Sequence, residues 1–206
     1  MISPIVRTWD SDELYLEDQD GDSSWSHSTA WGENAAMKFM AYGDTLKERG
    51  WFYHDDTVAD FGGNDGFAAH QFYLRHGVKP IVIDCAANRL EFAAASYGLV
   101  TVQCFLEDIQ LPDKSIDWGF CSHTMEHTRD PELALAEIAR VVKRACAFIV
   151  PLEKPENAKE NRAHCVGCPT VDGWKKLMHR DWIVKGSART LGREEAQIFA
   201  RPRSKT

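Results

Sequence analysis

Apolar residues in this chain fall in short blocks, each followed by a glycine- or acid-bearing turn and then by a longer stretch with apolar positions three and four apart. The blocks are Thr57–Phe61, Pro80–Asp84 ("PIVID"), Val100–Phe105, Ile116–Ser122 ("IDWGFCS") and Ala145–Val150 ("ACAFIV"). Short continuous apolar runs of this kind predict strands covered on both faces. The stretches between them predict amphipathic helices. Phe67–His76 stops at Gly77, and Asn88–Tyr97 carries Leu90, Ala93, Ala94 and Tyr97 on one face before Gly98. Asp130-Pro131 opens a third helix with an N-cap and a proline in the first turn. Its stripe of Ala134, Leu135, Ile138, Val141 and Val142 opposes Glu132, Glu137, Arg140, Lys143 and Arg144.

Upstream, a helix is expected from about Glu33 to Arg49, stopped by Gly50 and weakened by Gly43. Downstream, a looser stretch, Glu153–Thr170, leads to a helix at Val171–His179. Two strands follow, Trp182–Ala188 and Ala196–Ala200. The link between them is too short for a helical crossover, so they are expected to pair antiparallel. Strands alternating with helices imply an α/β fold: a doubly wound, mostly parallel seven-stranded sheet with an antiparallel C-terminal hairpin. The expected organisation is one domain over residues 1–206, with an acidic arm (1–29), an N-terminal helix and lid (30–56) and the core (57–206).

Composition changes this picture little. The 206 residues are 44% hydrophobic and 27% charged, as in an ordinary soluble domain. A formal charge of −7, with no basic block before the last few residues, speaks against a nucleic-acid partner. No apolar run approaches the ~20 residues of a membrane span, and the N-terminus lacks a signal-peptide layout, so a cytoplasmic protein without membrane association is expected. Cys85, Cys104, Cys121 and Cys146 sit in apolar, strand-like settings and read as small buried hydrophobes. "CVGC" at 165–168 has the spacing of a zinc knuckle or a redox pair, but His164 and His179 complete no recognised pattern with it.

The chemistry concentrates in "TVADFGGNDGFAAHQF", residues 57–72. In a doubly wound sheet, ligands lie beyond the carboxyl ends of the strands, where this turn sits. A dinucleotide fingerprint starting at Gly62 would require glycines where Asn64 and Phe67 stand, and no Gly-Lys-Ser/Thr ending marks a phosphate loop. The pattern that fits is D-x-G-x-x-x-G, made by Asp60, Gly62 and Gly66, with Gly63 and Asn64 inside the turn. Asn64 tolerates the left-handed conformation better than most residues. A plain, unliganded strand–helix turn is the competing reading.

"VADFGGNDG" resembles the first motif of the class I S-adenosylmethionine-dependent methyltransferases, with Asn64 in place of the middle glycine. "IVID" ends in Asp84, where the family places a ribose-binding acid; a helix N-cap is the alternative role. "CFLEDIQLPDKSID" is similar to the adenine-binding segment, and "DWGFCSHTMEHTRDPELALAEIARVV" to strand 4 and the next helix of the small-molecule branch. The resemblance is good over residues 57–150. It implies a Rossmann-like fold and S-adenosylmethionine as cofactor. It implies cofactor contacts from Asp60, Gly62, Gly63, Asn64, Gly66, Asp84 and Cys85. Asp108 and Ile109 are the implied adenine contacts, with Glu107 as a near alternative, and Ser122 and His123 line the methionine part. His127, or less favourably His123, is the implied general base or acceptor-orienting residue. His164 is the implied acceptor-facing residue, and His27 and Trp31 would form a lid.

The implied reaction is methyl transfer to an oxygen, nitrogen or carboxylate nucleophile on a small molecule or sugar. "SHTM" stands where base-modifying DNA enzymes of this fold carry their own signature, which also disfavours nucleic acid as acceptor. Two other readings stay open: a donor-binding module without catalysis, and a dinucleotide oxidoreductase, which the failed glycine fingerprint opposes. His123 and His127, four apart with Glu126 between them, have a metal-ligand spacing on a helix, but the sequence offers no third ligand and no metal is expected. A purely structural role for the pair is the plainer reading.

Overall fold

The protein is described here from a computed structural model, over residues 30–160, 163–190 and 193–204. The acidic arm with His27, and the side chain of Trp31, lie outside the described residues. The strands are β1 (Val58–Phe61), β2 (Ile81–Asp84), β3 (Val100–Gln103), β4 (Ile116–Ser122), β5 (Val142–Pro151), β6 (Trp182–Arg189) and β7 (Glu195–Pro202). They form one sheet in the order β3-β2-β1-β4-β5-β7-β6. The first five strands pair in parallel, while β7 runs antiparallel between β5 and β6. This is the expected mixed seven-stranded sheet. Its winding reverses at β1, between β2 and β4, so a cleft opens beyond the end of β1.

The helices are α1 (Ala30–Glu48), α2 (Phe67–His76), α3 (Ala87–Tyr97), α4 (Pro131–Val141), α5 (Pro155–Glu160) and α6 (Val171–Met178). α1, α2 and α3 cover one face of the sheet, where Phe39 stacks between Phe72 (4.2 Å) and Phe120 (4.3 Å). α4 and α6 cover the other, with Leu135, Ile138, Trp174, Met178 and Trp182 in the core. Both buried indoles find acceptors: Trp182 Nε1 donates to Leu135 O (2.9 Å) and Trp174 Nε1 to Pro151 O (3.0 Å). That removes the penalty of burying an unpaired N–H.

Three local departures from the sequence reading have physical causes. α1 runs unbroken through Gly43, because a Cβ there would lie 2.5 Å from both His76 and Phe72; the glycine allows α1 and α2 to touch. Val142, Lys143 and Arg144 belong to β5 rather than to the preceding helix. α4 ends there because Lys114 Nζ donates to Ala139 O and Val142 O, each at 2.8 Å, satisfying carbonyls at the helix terminus. Within the stretch read as loose, residues 155–160 form α5, which buries Ala158. Cys165 and Cys168 lie in the apolar core and form no disulfide, like Cys121 and Cys146.

Candidate active site

The turn after β1 forms the floor of the cleft. Gly62 (φ 72°), Asn64 (φ 53°) and Gly66 (φ 75°) all adopt the left-handed conformation, and the N–H of Gly62 donates to Ile83 O at 2.7 Å. Gly62 admits no side chain: a Cβ would fall 2.2 Å from Thr124, which itself donates to Phe61 O (3.2 Å) and Ser122 O (3.1 Å). Asn64 thus does the work of the missing middle glycine, and its Oδ1 accepts from Arg89 Nη1 at 2.8 Å.

Asp84 stands beside this turn. Its Oδ2 accepts the N–H of Asn64 (2.9 Å) and its Oδ1 that of Ala86 (3.0 Å). α3 has Ala86 at its N-cap with no side-chain cap, so Asp84 is not the helix cap. Burial raises the pKa of Asp84, against these N–H donors and Arg89, which lower it. A carboxylate offers about four acceptor sites, so Asp84 has room for a ligand hydroxyl beside its backbone donors. Asp60, at the end of β1, is fully enclosed. Burial, and then the charges of Asp84 and Asp65, push its carboxyl up to about 8, so it holds a proton at neutral pH.

Two contiguous hollows share Gly62, Asn64 and His123. One is walled by Asp84, Cys85, Arg89, residues 104–107 and His127. The other is walled by Asp60, Gly63, Phe67, Ser122 and, from α1, Asn34. Most of the expected cofactor residues therefore converge on one cleft. Gly66 faces Ala93 and Leu99 instead, and Asp108 and Ile109 do not reach the cleft. Asp108 lies along a separate shallow groove with Glu137 and Arg140, and Ile109 is buried with its N–H spent on Glu137 Oε2 at 3.1 Å. Arg140 fixes this course by donating to Ile109 O (2.7 Å) and Leu111 O (2.8 Å). The segment that reaches the cleft is Cys104–Glu107, one turn earlier. The carboxylate of Glu107 already accepts the N–H groups of Arg129 (2.8 Å) and Asp130 (3.2 Å). Arg89, and the guanidinium of Arg129 stacked 4.4 Å over Phe105, were invisible to motif reading.

His123 and His127 share no helical face. His123 has φ 50°, which breaks the chain direction before a 3₁₀ turn at Met125–His127. His123 points Nε2 at Glu195 Oε2 (3.0 Å) and Nδ1 at Glu126 Oε1 (3.3 Å). Burial would depress its pKa, but these two carboxylates raise it overall. Lys38 Nζ meets the same Glu195 oxygen at 2.8 Å, giving a row of alternating charges from α1 to the end of β4. His127 Nδ1 lies 2.9 Å from Ala163 O, and its ring packs edge-on to His164, with centroids 4.9 Å apart. Burial lowers the pKa of His127, so its imidazole is neutral. Ser122 Oγ is buried with no hydrogen-bond partner among the described residues.

S-adenosylmethionine fits this cleft by two tests of the chain itself: a floor that excludes a Cβ at Gly62, and an orphaned hydroxyl at Ser122. The sequence model of the methyltransferase domain family matches residues 59–150. No curated protein sequence matches the chain. Among solved structures, the chain is similar to a methyltransferase in complex with the Haloferax volcanii Trm112 methyltransferase activator. The TM-score is 0.67 at 16% identity, over 93% of this chain and 98% of that one. It is also similar to geranyl diphosphate methyltransferase in complex with GPP and sinefungin (0.62, 14% identity, 78% and 76% of the chains) and to the [4+2]-cyclase SpnF (0.66, 12% identity, 98% and 88%). These likenesses carry the fold alone; residues 59–150 carry a methyltransferase domain, which takes S-adenosylmethionine as its cofactor.

Proposed function

We propose that the protein methylates an oxygen, nitrogen or carboxylate nucleophile on a small molecule or sugar, with His127 facing the acceptor. The observation that carries this reading is the convergence of Gly62, Asp84, Ser122, His123 and His127 on one cleft. When bound, the cofactor supplies a methyl group already activated by a sulfonium charge. Asp84 would accept from the ribose hydroxyls, the backbone of residues 104–107 would meet the adenine, and Ser122 Oγ, with Asp60 nearby, would receive the methionine end. His127, neutral and held at Nδ1 by a carbonyl oxygen, has its basic lone pair on Nε2 and can take a proton from an acceptor hydroxyl or ammonium. His123 is clamped between two carboxylates and serves better to position that loop than to remove a proton. The net charge of −7 argues for a metabolite rather than a nucleic acid, and cysteines that form no disulfide suit a reducing, cytoplasmic setting.

The test is calorimetry with S-adenosylhomocysteine, followed by a screen of acceptors for methylated product. Asp84→Ala is expected to weaken binding by at least about tenfold, the loss of a ligand hydrogen bond to a charged group. His127→Ala is expected to preserve that affinity and lower turnover by about 10²–10⁴-fold. A second reading, donor binding without methylation, is favoured by one observation: a solved cyclase shares this fold. Donor uptake with no product from any acceptor would select it.

A further inference from the structure

His123 and His127 have a ligand spacing in sequence, but the fold instead brings His164, from another segment, against Glu126 and His127. The chain after α5 returns along the 3₁₀ turn, and the N–H groups of Cys165 and Val166 both donate to Glu126 O, at 2.7 and 2.9 Å. This pairing sets His164 against His127. One ligand-capable atom from each of Glu126, His127 and His164 then lies within 4.8 Å of the other two.

Two independent features accompany that geometry. Glu126 is 1% exposed, and among the described residues no donor meets its Oε2. A buried carboxylate oxygen in this condition is costly until a donor or cation reaches it. The second feature is the grip on each imidazole. Ala163 O holds His127 at Nδ1 (2.9 Å), and Glu153 Oε2 holds His164 at Nδ1 (2.5 Å). An Nδ1–H donated to oxygen leaves the lone pair on Nε2, which is how metal-ligating histidines are oriented by their surroundings.

We propose that Glu126, His127 and His164 bind one first-row divalent cation, with zinc the best match. Two imidazole nitrogens and one carboxylate oxygen suit zinc, and three protein ligands leave a fourth position for water or an acceptor atom. Because His127 also walls the cleft, the ion would border the acceptor space. Occupancy and a base role are exclusive: Nε2 of His127 either holds the ion or takes a proton. The site does not depend on methyl transfer.

The experiment strips the full chain with a chelator and titrates it with Co²⁺, followed by visible absorption, then displaces Co²⁺ with Zn²⁺. One Co²⁺ per chain is expected, with the bands of a low-coordinate site. His164→Gln should lose the bands while still binding S-adenosylhomocysteine, which reports a folded cleft. Glu153→Gln keeps all three ligands and should weaken affinity by about 10–100-fold. The double change Cys165→Ser, Cys168→Ser should leave the bands in place. The proposal is overturned if the unmodified chain takes up no Co²⁺ or Zn²⁺ at millimolar concentration. It is equally overturned if His164→Gln or Glu153→Gln binds as tightly as the parent, or if the cysteine changes abolish binding. Loss of metal binding with donor binding intact leaves the methyltransferase reading untouched, and the reverse result leaves the metal site untouched.

Discussion

Asp60 sits in an environment far from the one its sequence context suggests. In the unfolded chain it ionises near 3.8; in the folded, ligand-free chain burial and two neighbouring acids hold its proton to about 8. Between those values the folded state binds more protons than the unfolded state, so stability falls as pH rises through that window. Asp60→Asn is expected to remove this part of the pH dependence, and urea denaturation from pH 5 to pH 8 checks it. A parent chain as stable at pH 8 as at pH 5, relative to the variant, would contradict the assignment. A cationic donor end beside Asp60 should expel its proton. Titrations of S-adenosylhomocysteine at pH 7 in buffers of different ionisation enthalpy should therefore disagree for the parent and agree for the variant. That Asp60 and Asp84 belong to one site was legible from their strand-end positions. That Asp60 is buried, with the charge of Asp84 helping to hold its proton, was not, because burial depends on which elements close over it.

At the scale of elements, the turn from β1 to α2 is the most demanding piece of backbone. Gly62→Ala should cost about 1–2 kcal/mol for the left-handed conformation, with a further loss from collision with Thr124, and should abolish donor binding. Adding Thr124→Ala should recover the collision part only, which calorimetry and thermal melting of the double variant would resolve. Strands and helices were readable here because their apolar periods are unambiguous. The segment after β3 was not. Counting along "CFLEDIQLP" could not show that the chain turns toward the cleft at residues 104–107, or that Glu137 and Arg140 then draw Ile109 into the opposite groove. Those partners lie on α4, and only packing brings them there. His164 was a candidate by position, but its apposition to Glu126 and His127 rests on the same kind of long-range pairing.

Across the whole molecule, α1, β4 and β7 are tied by the series Lys38, Glu195, His123 and Glu126. Lys38 and Glu195 are 11% and 4% exposed, so their pairing is shielded from solvent. Removing Lys38 leaves Glu195 buried with His123 but without its lysine partner. Lys38→Met is accordingly expected to destabilise the protein by no more than about 3 kcal/mol, measured by urea unfolding. The parent should unfold in a single transition, because both faces of one sheet share the strands that this series connects.

The placement of β7 has a consequence for synthesis. Glu195, which steadies His123, lies on a strand that inserts between β5 and β6 although it follows both in the chain. While a ribosome has delivered only the first five strands, the nascent polypeptide can wind its parallel half but leaves the edge of β5 bare and the imidazole at position 123 without its second carboxylate. The protein thus acquires a finished cleft only once β7 has been delivered, and a product cut before β7 would lack it.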